Sequence, residues 1–273
     1  MRPSTLGEAL ELLHYHGDEA RPLAGGQSLV PMMNLRMARP SMLVDLNVVP
    51  ELSGIALQSD FLRVGAMTRQ AVILDDAQVR QHAPLVVVAL KHVGHFQTRS
   101  RGTIGGSLAH ADPSAELALA MVTLNARLRL QSVNGERVIE AHEFFIDAMT
   151  TAIGAGEIIT EIMIPRSPPD AKVVFREYAR REGDFAIVST AVQRSAGESS
   201  LLVAVGGVAS VPFFCSELSR RFSRSGFDTA IATDLARAEL ERIEPMSDLN
   251  ADGAYRRHVA SIFLLESLRE VFA

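Results

Sequence analysis

Two glycine-paired segments, Ala24-Gly25-Gly26-Gln27-Ser28-Leu29 and Thr103-Ile104-Gly105-Gly106-Ser107-Leu108, carry the residue types best suited to binding an anion. A Gly-Gly pair permits positive φ and lets backbone N–H groups converge, and the following Ser28 or Ser107 adds a hydroxyl donor. Phosphate is the ligand such a pocket takes. Either pair read singly is more readily an ordinary tight turn. No Gly-x-Gly-x-x-Gly follows a strand and no Gly-x-x-x-x-Gly-Lys-Ser/Thr occurs, so neither a Rossmann site nor a P-loop accounts for the glycines.

Other reactive constellations are thin. His92 and His95, and His110 with Asp112, have spacings a metal could use, but no fourth ligand is evident, so no metal site is assigned. A Gly-x-Ser-x-Gly elbow is absent. The single cysteine, Cys215, sits beside Phe213-Phe214, a setting that suppresses thiolate chemistry. One thiol can form neither an internal disulfide nor an iron-sulfur cluster, so any cluster belongs to a partner.

The elements that position the glycines follow from periodicity. Thr5 and Glu8 resemble a capping box ahead of a helix over 5–16, which Gly17 ends. Arg21–Ala24 reads as a strand delivering the first segment, 30–37 as a helix, and Met42–Asp45 as a second strand. Leu62–Ala66 is strand-like, Thr68 is placed to cap a helix, and Pro84–His92 is a buried helix leading to the second segment. Pro113 at a first helical position begins a helix through Leu124, and Asn134-Gly135 joins a hairpin. Ile158–Ile164 is a strand that ends at Pro165, Pro168 and Pro169, the clearest boundary. Beyond it, 173–180, 186–192 and 201–211 form an antiparallel sheet, and 228–243 and 254–272 form helices on one side of it. The division is 1–55, 56–168 and 169–273.

Composition narrows the function classes. The chain has 273 residues, 47% hydrophobic, with net charge −5, so nucleic acid and anionic membranes find no global attraction. No apolar signal core or membrane span is present in the reading, which points to a cytoplasmic protein. Trp is absent, so stacking on a flat ring falls to Phe or Tyr.

The residues Leu23–Pro31 and the run His95–Pro113 resemble those of the FAD-binding medium subunit of the molybdenum hydroxylases, which include carbon monoxide dehydrogenase and xanthine dehydrogenase. The resemblance covers essentially the whole chain. It implies an α+β fold: a two-subdomain FAD-binding domain of the vanillyl-alcohol-oxidase type, followed by a C-terminal antiparallel sheet with helices. It also implies an electron-transfer role. A large molybdenum-cofactor subunit oxidises substrate, a small subunit carries two [2Fe-2S] clusters, and FAD on this chain passes electrons to an external acceptor. The expected assembly is a dimer of heterotrimers.

Carried over by position, Leu23, Ala24, Gly25, Gly26, Gln27, Ser28, Leu29 and Val30, with Thr103, Ile104, Gly105, Gly106 and Ser107, surround the FAD pyrophosphate and its neighbouring ribose. Glu116 stands where the family has an acidic FAD contact, often Asp, and Ile159 where an apolar residue lines the adenine side. Arg176 aligns with a basic residue near the isoalloxazine, though a solvated charge is an equal reading of the Arg176–Glu182 run. In Gly183-Asp184-Phe185-Ala186 the aromatic residue is expected against the flavin; Phe185 stands where relatives of the carbon monoxide dehydrogenase type often have Tyr. A self-contained FAD-dependent reductase on a related fold, or a flavin-free scaffold, are the alternatives.

Overall fold

A computed structural model of the protein describes residues 1–223 and 225–273. The chain opens with helix Leu6–His16, where the Thr5 hydroxyl accepts the Glu8 amide proton at 3.2 Å and Gly17 turns away at φ +49°. Ala9 and Leu13 on its inner face pack with Val44, Leu46 and Leu52. Strands Ala20–Leu23 and Met42–Asp45 pair in parallel, and the connection between them carries the first glycine segment and the short helix Leu29–Asn34. Parallel pairing forces that crossover, and the crossover puts the segment at the carboxyl end of the first strand.

A second, antiparallel sheet runs in the order Ile55–Gln58, Phe61–Gly65, Ile158–Pro165, Arg127–Ser132, Gly135–Glu140. Its first strand has one half-buried residue among exposed ones, too weak an alternation for the sequence to reveal it. Helices Pro84–His92 and Glu116–Thr123 are apolar almost all round because both faces are covered. Thr68 does not cap a helix. Its hydroxyl is bonded to the Gly54 backbone, and the next helix, Gln70–Asp75, begins after Arg69. Pro113 lies in the turn ahead of Glu116–Thr123, since the Asp112 carboxylate accepts the Ser114 amide and delays the helix.

The third sheet is antiparallel, in the order Lys172–Tyr178, Val188–Ser195, Ser200–Gly206, Phe213–Phe214. Helices cover both of its faces, not one. Phe175, Ala191 and Ala204 join the core built around Leu117 and Leu119, while Val174, Val192, Val203 and Val205 join Leu218, Leu264 and Leu268. Two-sided burial explains why Leu201–Val208 lacks alternation. Helices Thr229–Glu241 and Gly253–Phe272 are capped by Asp228 and Asp252. Among the described residues no helix is long and apolar enough to cross a membrane.

Candidate functional site

The two glycine segments meet. A Cβ on Gly25 would overlap the Arg101 carbonyl and lie 2.9 Å from the Gly102 Cα, and one on Gly106 would lie 3.1 Å from the Ala24 Cβ. The segments are nonetheless unequal in chemistry. Only Gly26 has positive φ, at +73°; Gly105 and Gly106 are helical, inside Ile104–His110. The positive-φ expectation therefore holds at one glycine, and close packing explains the other three.

Donor accounting separates them further. Among the described residues, the amides of Gly25, Gly26, Gln27, Ser28 and Leu29 donate to no group of the chain. In the second segment, Ile104 N–H donates to the Thr68 carbonyl at 3.2 Å, Gly105 N–H to the Ala66 carbonyl at 2.8 Å, and Gly106 N–H to the Thr103 hydroxyl at 3.1 Å. The first segment is a half-buried row of free donors, a group that only water or an anion can satisfy. The second is a wedge: Gly105 admits the Ala66 backbone, Gly106 admits Ala24, and Ser107 follows in the same turn. Leu23 ends the incoming strand, and Val30, on the first turn of its short helix, is exposed.

Two residues outside the sequence-derived set join the segments. Asn47 Nδ2 donates to the Ala24 carbonyl at 3.0 Å and its Oδ1 accepts from Arg69 at 2.6 Å; the other arm of Arg69 donates to the Arg101 carbonyl. Neither belongs to a recognisable motif. Each is an isolated polar residue in the sequence.

The Gly183 turn docks on the run that precedes the second segment. Gly183 has φ +83°, and a Cβ there would lie 2.5 Å from the His95 ring. Beside this contact stand two aromatic side chains left largely to solvent, Phe96 at 69% exposed and Phe185 at 67%. Phe185 is thus free to cover a planar ligand. Asp184 sits within the turn, its amide donating to the Arg181 carbonyl.

Glu116 is 6% exposed at the start of its helix. Burial raises its pKa to about 8, the Glu177 charge adds to the rise, and His92 opposes it. His92 lies 3.6 Å from the Glu177 carboxylate, which holds the imidazole above its ordinary pKa. These groups meet where helix Pro84–His92 packs against both helix Glu116–Thr123 and strand Lys172–Tyr178. Ile159 is core, buried with Ile104 and Leu108.

Arg176 is not brought to the glycine segments. Strand alternation sends Phe175 and Glu177 toward the helices below the sheet, and Arg176 the other way, where it pairs with Glu266 at 3.4 Å and Glu270 at 2.6 Å on helix Gly253–Phe272.

A glycine segment with free amides wedged against a second, and an exposed aromatic turn resting on the run that leads to the second, define a protein built to hold a nucleotide diphosphate carrying a flat ring. Residues 1–167 match the family model described as the FAD binding domain in molybdopterin dehydrogenase, and 173–271 the CO dehydrogenase flavoprotein C-terminal domain. The chain belongs to this family of FAD-binding dehydrogenase subunits. It is 34% identical to the glyceraldehyde dehydrogenase medium chain of Sulfolobus acidocaldarius over 99% of this chain and 97% of that one. Subunit alpha of the 6-hydroxypseudooxynicotine dehydrogenase complex of Paenarthrobacter nicotinovorans is 37% identical over 92% and 86%. Carbon monoxide dehydrogenase from Hydrogenophaga pseudoflava superposes with a TM-score of 0.95 at 32% identity, covering 99% of this chain and 95% of that chain.

Proposed function

We propose that this oxidoreductase subunit carries FAD as an electron relay, taking electrons from the [2Fe-2S] clusters of a small partner and passing them to an external acceptor. Substrate oxidation then belongs to a large molybdenum-cofactor subunit, with two such heterotrimers forming the assembly. The observation that carries the reading is the row of free amides from Gly25 to Leu29. These donors, with the Ser28 hydroxyl, hold the pyrophosphate. Thr103 and Ser107 close the far side, and Glu116 and Ile159 bound the pocket from the second subdomain. FAD, when bound, supplies a ring that stores two electrons and releases them separately.

The chain's own residues orient and shield. Phe185 covers the ring face from the Gly183 turn, and its lack of a hydroxyl leaves that face without a phenolic hydrogen bond. Asp184 shapes the turn. The relay role requires partners because the sole cysteine is fully buried and no second thiol exists to bind a cluster. We also propose the division 1–55, 56–168 and 169–273 as the two FAD-binding subdomains and the C-terminal domain.

Purification of the chain with its native partners tests the reading. The complex is expected to hold FAD, molybdenum and iron, and the isolated chain to bind FAD without oxidising any substrate. Steady NAD(P)H turnover by the isolated chain would instead support a self-contained reductase, and failure to bind FAD would overturn both.

A further inference from the structure

We propose that Asn47 and Arg69 are positioning residues that set the two glycine segments at the separation FAD requires, an inference that rests on the FAD reading above. The pair spans the site from one segment to the other. Asn47 follows strand Met42–Asp45; its amide group donates to the Ala24 carbonyl at 3.0 Å and to the Asp45 carboxylate at 2.5 Å. Its carbonyl oxygen accepts from Arg69 at 2.6 Å, and the second arm of the Arg69 guanidinium reaches the carbonyl of Arg101. Gly25 packs on Arg101 and Gly106 on Ala24, so the bridge from Ala24 to Arg101 clamps the point where the segments touch.

The backbone around Arg69 reinforces the clamp. Gln70 N–H donates to the Gly102 carbonyl at 2.9 Å, and Ile104 N–H to the Thr68 carbonyl at 3.2 Å, so Arg69 faces Thr103 across a short antiparallel bridge. The guanidinium is thereby committed to two acceptors on the protein. Its role is placement of the segments, not contact with phosphate. A planar fork is what the geometry demands: the two acceptors lie on different segments, and a single ammonium cannot reach both with comparable geometry. Holding both segments in place before the ligand arrives removes an ordering cost from binding.

The test uses the full chain stripped of flavin and titrated with FAD, comparing wild type with Arg69→Lys, Asn47→Ala and Asn47→Asp. Arg69→Lys and Asn47→Ala are expected to weaken FAD binding about tenfold or more, the scale of losing a charge-assisted hydrogen bond. At saturating FAD both are expected to return the wild-type flavin visible circular dichroism and midpoint potential, because neither residue touches the ring. Asn47→Asp keeps an acceptor for Arg69 but sets a carboxylate against the Asp45 carboxylate and the Ala24 carbonyl, so a loss at least as large as in Asn47→Ala is expected. Affinities within about twofold of wild type in all three variants would overturn the inference. So would a shifted flavin spectrum at saturation, which marks direct contact, or a melting temperature of the flavin-free chain that falls in step with affinity, which marks a purely structural role. Absence of FAD binding by the wild type would instead sink the FAD reading itself.

Discussion

Gly25 lies so close to the Arg101 carbonyl that a single methyl on it would occupy the space of that oxygen. Two segments distant in sequence thereby form one wall, and the wall has no room for a side chain. Gly25→Ala must push the segments apart, with an overpacking cost of about 1–3 kcal/mol and loss of FAD binding. Gly26→Ala meets no backbone, only the Val30 and Leu23 side chains, and suffers chiefly from φ +73°, at about 1 kcal/mol. Denaturant unfolding and FAD titration of the two variants should rank Gly25→Ala as the more damaging.

Gly106→Val is expected to abolish FAD binding through crowding against Ala24 and the Thr103 hydroxyl, since Gly106 has ordinary helical φ. Gly106→Ala separates the causes: its added Cβ lies 3.1 Å from Ala24, so a partial loss is expected. Equal affinity for Gly106→Ala and wild type would show that the segments have slack at this point.

The Gly183 turn gives a spectroscopic prediction. His95→Ala opens the space against which Gly183 rests, and Phe185→Ala removes the exposed ring. Both are expected to shift the flavin midpoint potential in the same direction while FAD affinity changes less than in Gly25→Ala. Wild-type potentials in both variants would place the flavin ring elsewhere.

Stability should fall as pH rises between about 4.5 and 8. Glu116 has a folded pKa of about 8, raised from 4.5, so across that window the folded state keeps a proton that the unfolded chain has lost. His92 runs the same way: its raised pKa contributes stability that is full below about 6.5 and disappears as pH climbs through the folded value. Glu116→Gln should flatten most of the fall, by an amount on the order of a few kcal/mol. Urea unfolding of the flavin-free chain at pH 5 and pH 8 checks it, and an unchanged slope in the variant would mean Glu116 is ionised in the fold.

Arg176→Ala should leave the flavin potential at its wild-type value, because the side chain faces Glu266 and Glu270 across the sheet. The stability cost should stay below about 1 kcal/mol, as for partly exposed ion pairs. A shift in potential would restore the charge to the flavin.

Much of this was legible in the residues. The capped first helix, the strand Met42–Asp45, the buried helix Pro84–His92 and the Asn134-Gly135 hairpin stand where local pattern puts them, because caps, prolines and turn glycines act over a few residues. The glycine segments were also visible. Their inequality was not, since spacing cannot tell whether an amide is spent on a neighbouring carbonyl such as Ala66 or left free. Asn47 and Arg69 escaped notice for the same reason: each is an isolated polar residue until the fold brings Ala24 and Arg101 within reach. The direction of Arg176 was not readable: residues two apart on a strand share a face, but only the fold shows which core takes Val174.

The proposed donors for the FAD pyrophosphate are the amides from Gly25 to Leu29. Hydrogen–deuterium exchange of the segment 24–30, measured on the full chain with and without saturating FAD, reads those amides directly. Slowed exchange is expected there on binding, with little change at Ile104 and Gly105, whose protons are already committed within the fold. FAD binding that leaves exchange in 24–30 unchanged would contradict it.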